Sequence, residues 1–180
     1  MPQGAACRRV PLLPTADSCK ADKVIAMDTN TPSIIPAREP SANAEIAIRK
    51  VLDDRAAAFR TKDAEGIVAK STPDMIAYTL APPLKIEPTI AGLKAWLGTW
   101  KGGLIYEMRD VAIEAGDEVA FATSLVRMGG EKTTGTQAVL WQRVTTGFRK
   151  ISGVWWIVHE HASVPFYMDG SLKAAIDLEP

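Results

Sequence analysis

The chain has 180 residues, and its 21 Lys plus Arg balance 21 Asp plus Glu, so the formal net charge is zero. This is the length of one domain with some excess. The charge balance argues against a general nucleic-acid binder, which needs a basic face. No apolar run approaches the roughly 20 residues that span a bilayer, so no membrane partner is expected. Cys7 and Cys19 supply neither a disulfide framework nor zinc-finger spacing, and a cytoplasmic location is the expectation.

The first forty residues carry Pro2, Pro11, Pro14, Pro32, Pro36 and Pro40 and no sustained helical or strand period. Arg8 and Arg9 precede only a short apolar run broken by Pro11, less than the ~7–15 residues of a secretory signal. Met27 opens a more ordinary start, M-D-T-N-T-P-S. Residues 1–40 therefore read as a disordered or mis-assigned N-terminal extension, residues 41–168 as the domain, and residues 169–180 as a C-terminal tail.

Ser41 or Asn43 caps a first predicted helix that runs to about Thr61. Ile48, Leu52, Ala56 and Phe59 form its core-facing stripe. Arg55 falls on that buried side, three residues after Leu52 and four before Phe59, whereas Arg49, Lys50, Asp53 and Asp54 read as a solvated face. Asp63 caps a short second helix, 64–71. Residues 75–80 read as a strand stopped by Pro82 and Pro83. A third helix, 90–100, places Trp96 and Trp100 one turn apart, and Gly102–Gly103 end it. Strands follow at 104–115, 119–128, 137–146 and from Trp155, separated by turns at Gly116–Asp117, Gly129–Gly130 and 150–153. Helices first and strands afterwards give an α+β domain: three helices packed on one side of a curved antiparallel sheet.

The last strand, W-W-I-V-H-E-H-A-S-V-P-F, holds both histidines. Simple alternation puts Trp155, Ile157, His159, His161 and Ser163 on one face, and Trp156, Val158, Glu160, Ala162 and Val164 on the other. The first set has the composition of a pocket wall, mostly apolar with a few placed polar groups. The second is apolar enough to form a dimer face.

Two segments resemble a known family. Residues 55–69, R-A-A-A-F-R-T-K-D-A-E-G-I-V-A, and residues 141–166, W-Q-R-V-T-T-G-F-R-K-I-S-G-V-W-W-I-V-H-E-H-A-S-V-P-F, are similar to the SnoaL-like and ketosteroid isomerase-like families, which share the nuclear transport factor 2-like cone fold. The resemblance implies a conical pocket between helices and sheet, and a dimer through the other face. It covers residues 41–168 and hosts isomerases, cyclases, dehydratases and non-catalytic association domains. Ketosteroid isomerase works with an Asp base and Tyr and protonated Asp donors. Here those positions fall on or near Thr79, Arg55 and Arg143, so steroid isomerisation by that mechanism is not expected.

If the final hairpin turns about Ile151, Arg143 opposes His159 and Trp141 opposes His161. With Arg55 they would converge on an anion, enolate or phenolate, because Arg presents a planar fork of donors. In the enzyme reading His159 or His161 is a general acid/base and Arg143 with Arg55 stabilises developing negative charge. Trp141, Tyr78, Trp96, Trp100 and Ser163 complete the candidate ligand-binding set. Other readings stay open: Arg55 pairing with a buried carboxylate, Trp96 and Trp100 serving as core, and a metal on the His pair, for which no third ligand stands out. No nucleotide motif occurs, and neither a metal nor a cofactor is assigned. The expected partners are a small hydrophobic or aromatic molecule and a second copy of the chain. The alternative to an enzyme is a non-catalytic ligand-binding or association domain; a closed core with both histidines bonded to backbone would favour the association role. Deleting residues 1–26 should leave the cooperative thermal transition of the domain in place; loss of that transition in calorimetry would contradict the assignment.

Overall fold

The computed structural model describes residues 42–180, so the expectations for residues 1–40 and for the Ser41 cap lie outside the described residues. Helix α1 spans Ala42–Thr61, α2 Ala64–Val68 and α3 Ile90–Leu97; strands are β1 Ser71–Tyr78, β2 Trp100–Ala115, β3 Val119–Lys132, β4 Gln137–Ile151 and β5 Val154–Ser163. They form one five-stranded curved sheet in the order β1-β5-β4-β3-β2. The β2 to β5 pairs are antiparallel, and β1 joins β5 in parallel. The α+β class and the three-helix, one-sheet layout are as expected. No described helix is long and apolar enough to cross a membrane.

Local chemistry explains the boundaries. The Asp63 carboxylate accepts from Gly66 N at 3.0 Å and Thr89 Oγ1 from Gly92 N at 3.0 Å, each capping a helix start. Helix α3 ends three residues before the expected Trp100, which opens β2 instead. Gly102–Gly103 lie inside β2, at a register shift, and do not terminate a helix. Gly129–Gly130 likewise sit within β3, opposite Val139 and Ala138; the real turn is 133–136, closed by Lys132 N to Thr136 O at 2.8 Å. The last hairpin turns through Ser152 and Gly153, both at positive φ, 50° and 82°. That is the backbone a two-residue turn needs to match strand twist.

The helices cover one face of the sheet. Ile48, Val51 and Leu52 of α1 pack with Met75, Ile113, Phe148, Trp155 and Ile157 in one apolar cluster. Phe59 and Ala58 pack with Ala64, Ile67, Leu97, Trp100 and Leu104 in a second. Each large apolar side chain removed from water contributes about 1.5–3 kcal/mol. The edge strand β2 is held by cations from the helix side: Arg49 Nη2 donates to Val111 O (3.2 Å), Arg60 Nε to Tyr106 O (2.9 Å) and Lys62 Nζ to Trp100 O (2.7 Å). Arg49 is thus more than part of a solvated face.

Gly129 has φ 144°, and a Cβ built there would stand 1.9 Å from Ala138 O. Gly129→Ala should therefore destabilise by about 4 kcal/mol or more in urea unfolding. Gly135→Ala, at φ 87° with nothing within 4 Å, should cost only about 1–3 kcal/mol.

Candidate functional site

The polar centre of the interior is an ion pair between α1 and β5. Arg55 is buried. Its Nη1 donates to Glu160 Oε2, its Nη2 to Glu160 Oε1 at 3.3 Å, and its Nε to Ile67 O at 3.2 Å. The guanidinium also sits over the Phe59 ring, 5.4 Å from its centroid. The Tyr106 ring lies 4.7 Å from that of Phe59, nearly parallel to it, and Trp96 meets Phe59 edge-on at 6.3 Å. Burial pulls the Arg55 guanidinium down, but the Glu160 carboxylate more than offsets this and the net shift is upward. Burial pushes the Tyr106 phenol well above its ordinary range, with the Glu160 charge adding to it. At neutral pH this centre is a charged Arg–Glu pair beside a neutral phenol.

Glu160 reaches α1 because β5 carries one extra residue. Phe148 pairs with Ile157 and Gly147 with His159, so Val158 has no partner on β4. This is a β-bulge, and it reverses the alternation downstream. Trp155 and Ile157 are buried on the helix-covered face, and Glu160 follows them. His159, His161 and Ser163 turn to the open face. The two faces derived from unbroken alternation are therefore exchanged beyond Val158.

The hairpin register also differs from the expectation. Arg143 opposes Ser163 and not His159, and Thr145, not Trp141, opposes His161. The cause is the turn at Ser152–Gly153 together with the bulge. Arg143 consequently lies exposed on the open face, away from Arg55, and the expected convergence of Arg143, His159, His161 and Arg55 does not occur. Tyr78 joins the histidines: β1 sets it beside His161, and its ring meets His159 at 5.0 Å and His161 at 5.7 Å, both edge-on. Trp141 is on this face too, under the Arg109 guanidinium at 5.0 Å. Trp96 and Trp100 contact each other at 5.8 Å on the helix side. Glu160 and Tyr106 were absent from the sequence-derived set. A buried helical Arg signals a carboxylate partner; Tyr106 had no comparable signal.

Two surface clefts stand out. One, of about 210 Å³, lies between the C-terminal tail (Ile176–Glu179) and Arg127, Val139 and Trp141. The other, of about 160 Å³, lies between Val68, Ser71–Pro73, Met75, Pro88 and Ile90. Both are below the ~300–1,000 Å³ of usual ligand pockets, and neither is lined by Arg55, Glu160 or Tyr106. Among the described residues, no three His, Cys, Asp or Glu side chains gather as a metal site. Removing one partner of the buried pair leaves the other charge unpaired, so Glu160→Leu or Arg55→Met alone should cost about 3–5 kcal/mol. The double variant should recover most of that loss, as read by urea unfolding of all three proteins.

Comparisons with known proteins fit this geometry. The family model of the SnoaL-like domain matches residues 48–167. An NTF2-like protein of unknown function from Pseudomonas putida KT2440 is 29% identical, with a TM-score of 0.70 over 79% of this chain and 100% of that one. A proposed scytalone dehydratase from Novosphingobium aromaticivorans is 17% identical, with a TM-score of 0.60 over 74% of this chain and 91% of that one. The association domain of C. elegans CaMKII is 18% identical, with a TM-score of 0.53 over 67% of this chain and 95% of that one. At such identities the last two speak to the fold alone. No curated protein matches. The family match spans most of the chain and includes both α1 and the β4–β5 hairpin, and the chain belongs to the SnoaL-like family.

Proposed function

We propose that the chain is a non-catalytic association domain that pairs with a second copy through the open face of its sheet. The observation that carries this reading is the contrast between the two faces. The helix-covered face is filled: Phe148, Ile48, Ile67, Ile157 and Val126 are fully buried, and the one charged pair there is internally satisfied. The open face presents Phe121 at 48% exposure and Val119 at 66% at one end of β3, with Arg109, Arg127, Trp141 and Arg143 farther along the same face and Tyr78 on β1. Aromatic residues and arginine are the types enriched at protein interfaces. The outward direction of His159 and His161 supports the same reading, because an isomerase, cyclase or dehydratase working in the cone would need its general acid/base inside. Association domains share this fold, so it is compatible with such a role.

One observation favours a second reading, binding of a small hydrophobic, anionic or enolisable molecule in the interior. Gln142 is buried, and its Oε1 has no hydrogen-bond partner among the described residues. That oxygen only accepts, so it would take a donor such as a ligand hydroxyl, while an anionic group on the same molecule would take the place of Glu160 on Arg55. Native mass spectrometry of the purified protein separates the readings: a retained small molecule supports binding, and a bare chain supports association.

Phe121→Glu introduces a charge into the exposed apolar part of the proposed interface. Sedimentation velocity at micromolar concentration should show the parent as a dimer or larger assembly and the variant as a monomer. Thermal melting of the variant's own fold should remain cooperative, because Phe121 is already half exposed. A parent that sediments as a monomer would overturn the association reading.

A further inference from the structure

His159 and His161 stand two residues apart on β5, beyond the Val158 bulge, and both face outward. The His159 Nδ1 lies 2.9 Å from the carbonyl oxygen of Ile76 on β1. A carbonyl only accepts, so Nδ1 carries the proton in this bond and the Nε2 lone pair of the neutral ring is left free to bind. Metal-bound histidines are oriented by the same kind of backbone bond. His161 is exposed, and the Tyr78 ring meets both imidazoles edge-on. The adjacent carboxylate, Glu160, is turned away and held by Arg55. The donor set of the site is therefore two imidazoles, and no third His, Cys, Asp or Glu gathers with them among the described residues. Such a set suits late first-row divalent ions and does not suit calcium or magnesium, which take oxygen ligands.

We propose that His159 Nε2 and an imidazole nitrogen of His161 chelate a late first-row divalent ion of the Ni(II), Cu(II) and Zn(II) group on the open face, with water completing its coordination. The ligands come from one chain, and because Tyr78 also belongs to the proposed association face, the Phe121→Glu variant is the form that tests the site apart from pairing. Because ligation needs neutral imidazole, binding weakens on acidification.

The test is calorimetric titration of Ni(II) into the full-length chain with any affinity tag removed. The expected result is one site per chain. His159→Ala and His161→Ala should each weaken it by about 10–100-fold or more, since even loss of an orienting partner costs that much. Cys7→Ser/Cys19→Ser should leave the affinity unchanged. Binding should also persist in Phe121→Glu, which separates chelation from self-association. No Ni(II) binding by the parent, an unchanged affinity in either histidine variant that melts like the parent, or loss of binding in the cysteine or Phe121 variant would each overturn the proposal.

Discussion

The pairing of Arg55 with Glu160 and the bulge at Val158 depend on each other, and the character of both sheet faces follows from them. Arg55 sits among Ile67, Phe59 and the strands beneath α1. A guanidinium in that position without a counter-charge would carry a desolvation penalty of several kcal/mol. If β5 alternated without interruption, His159 would face α1 and Glu160 would face water. The extra residue exchanges them. A slip of one residue on this side of the bulge would bring an imidazole against the guanidinium and return the carboxylate to solvent. The ion pair thus discriminates between registers of β5 against α1, a role in which a buried charged pair contributes specificity more than net stability.

Most of the fold was legible because its signals are local and periodic. The stripe of Ile48, Leu52, Ala56 and Phe59 specified α1, Asp63 specified the start of α2, and the succession of β-rich runs specified the meander. The errors fall where a tertiary contact overrode a local cue. Glycine pairs at 102–103 and 129–130 look like turns, yet both lie within long strands. At Gly129 the neighbouring strand comes so close at Ala138 O that only glycine fits. The site was less legible for a related reason. Strand parity is reliable only between irregularities, and nothing in the run W-W-I-V-H-E-H marks which residue is extra. The carboxylate in that run and the arginine on the buried side of α1 were both visible; a long-range pairing of 105 residues' separation is not deducible from either segment alone.

The two sheet edges and the open face are treated differently. At the β2 edge, Arg49, Arg60 and Lys62 satisfy carbonyls that would otherwise invite another strand. At the β1 edge, Ala77 and Ile86 exchange both backbone hydrogen bonds at 2.9 Å, so the connecting segment occupies part of that edge. Growth of the sheet by strand addition is thereby opposed at both ends. Among the described residues, the open face has no comparable cover over Phe121 and Val119, although the tail approaches Trp141 and Arg127 at one end. In the association proposed above, pairing is face to face and closes at a dimer, whereas edge pairing would extend without limit.

The same bulge that supplies the interior with its carboxylate also decides which chemistry is available outside. Outside the cone, His159 and His161 keep access to solvent, and the carbonyl of Ile76 fixes the orientation of one of them. Inside, among the described residues, the titratable groups between α1 and β5 are the Arg55 guanidinium, the Glu160 carboxylate and the Tyr106 phenol, which burial raises above its ordinary range, beside the neutral polar side chains Thr72, Gln142 and Thr146. Burial makes the Tyr106 phenol a weaker acid than usual, and both Glu160 oxygens are taken up by the Arg55 guanidinium. The charged pair is therefore better suited to holding α1 on β5, or to being exchanged for a ligand anion, than to moving a proton.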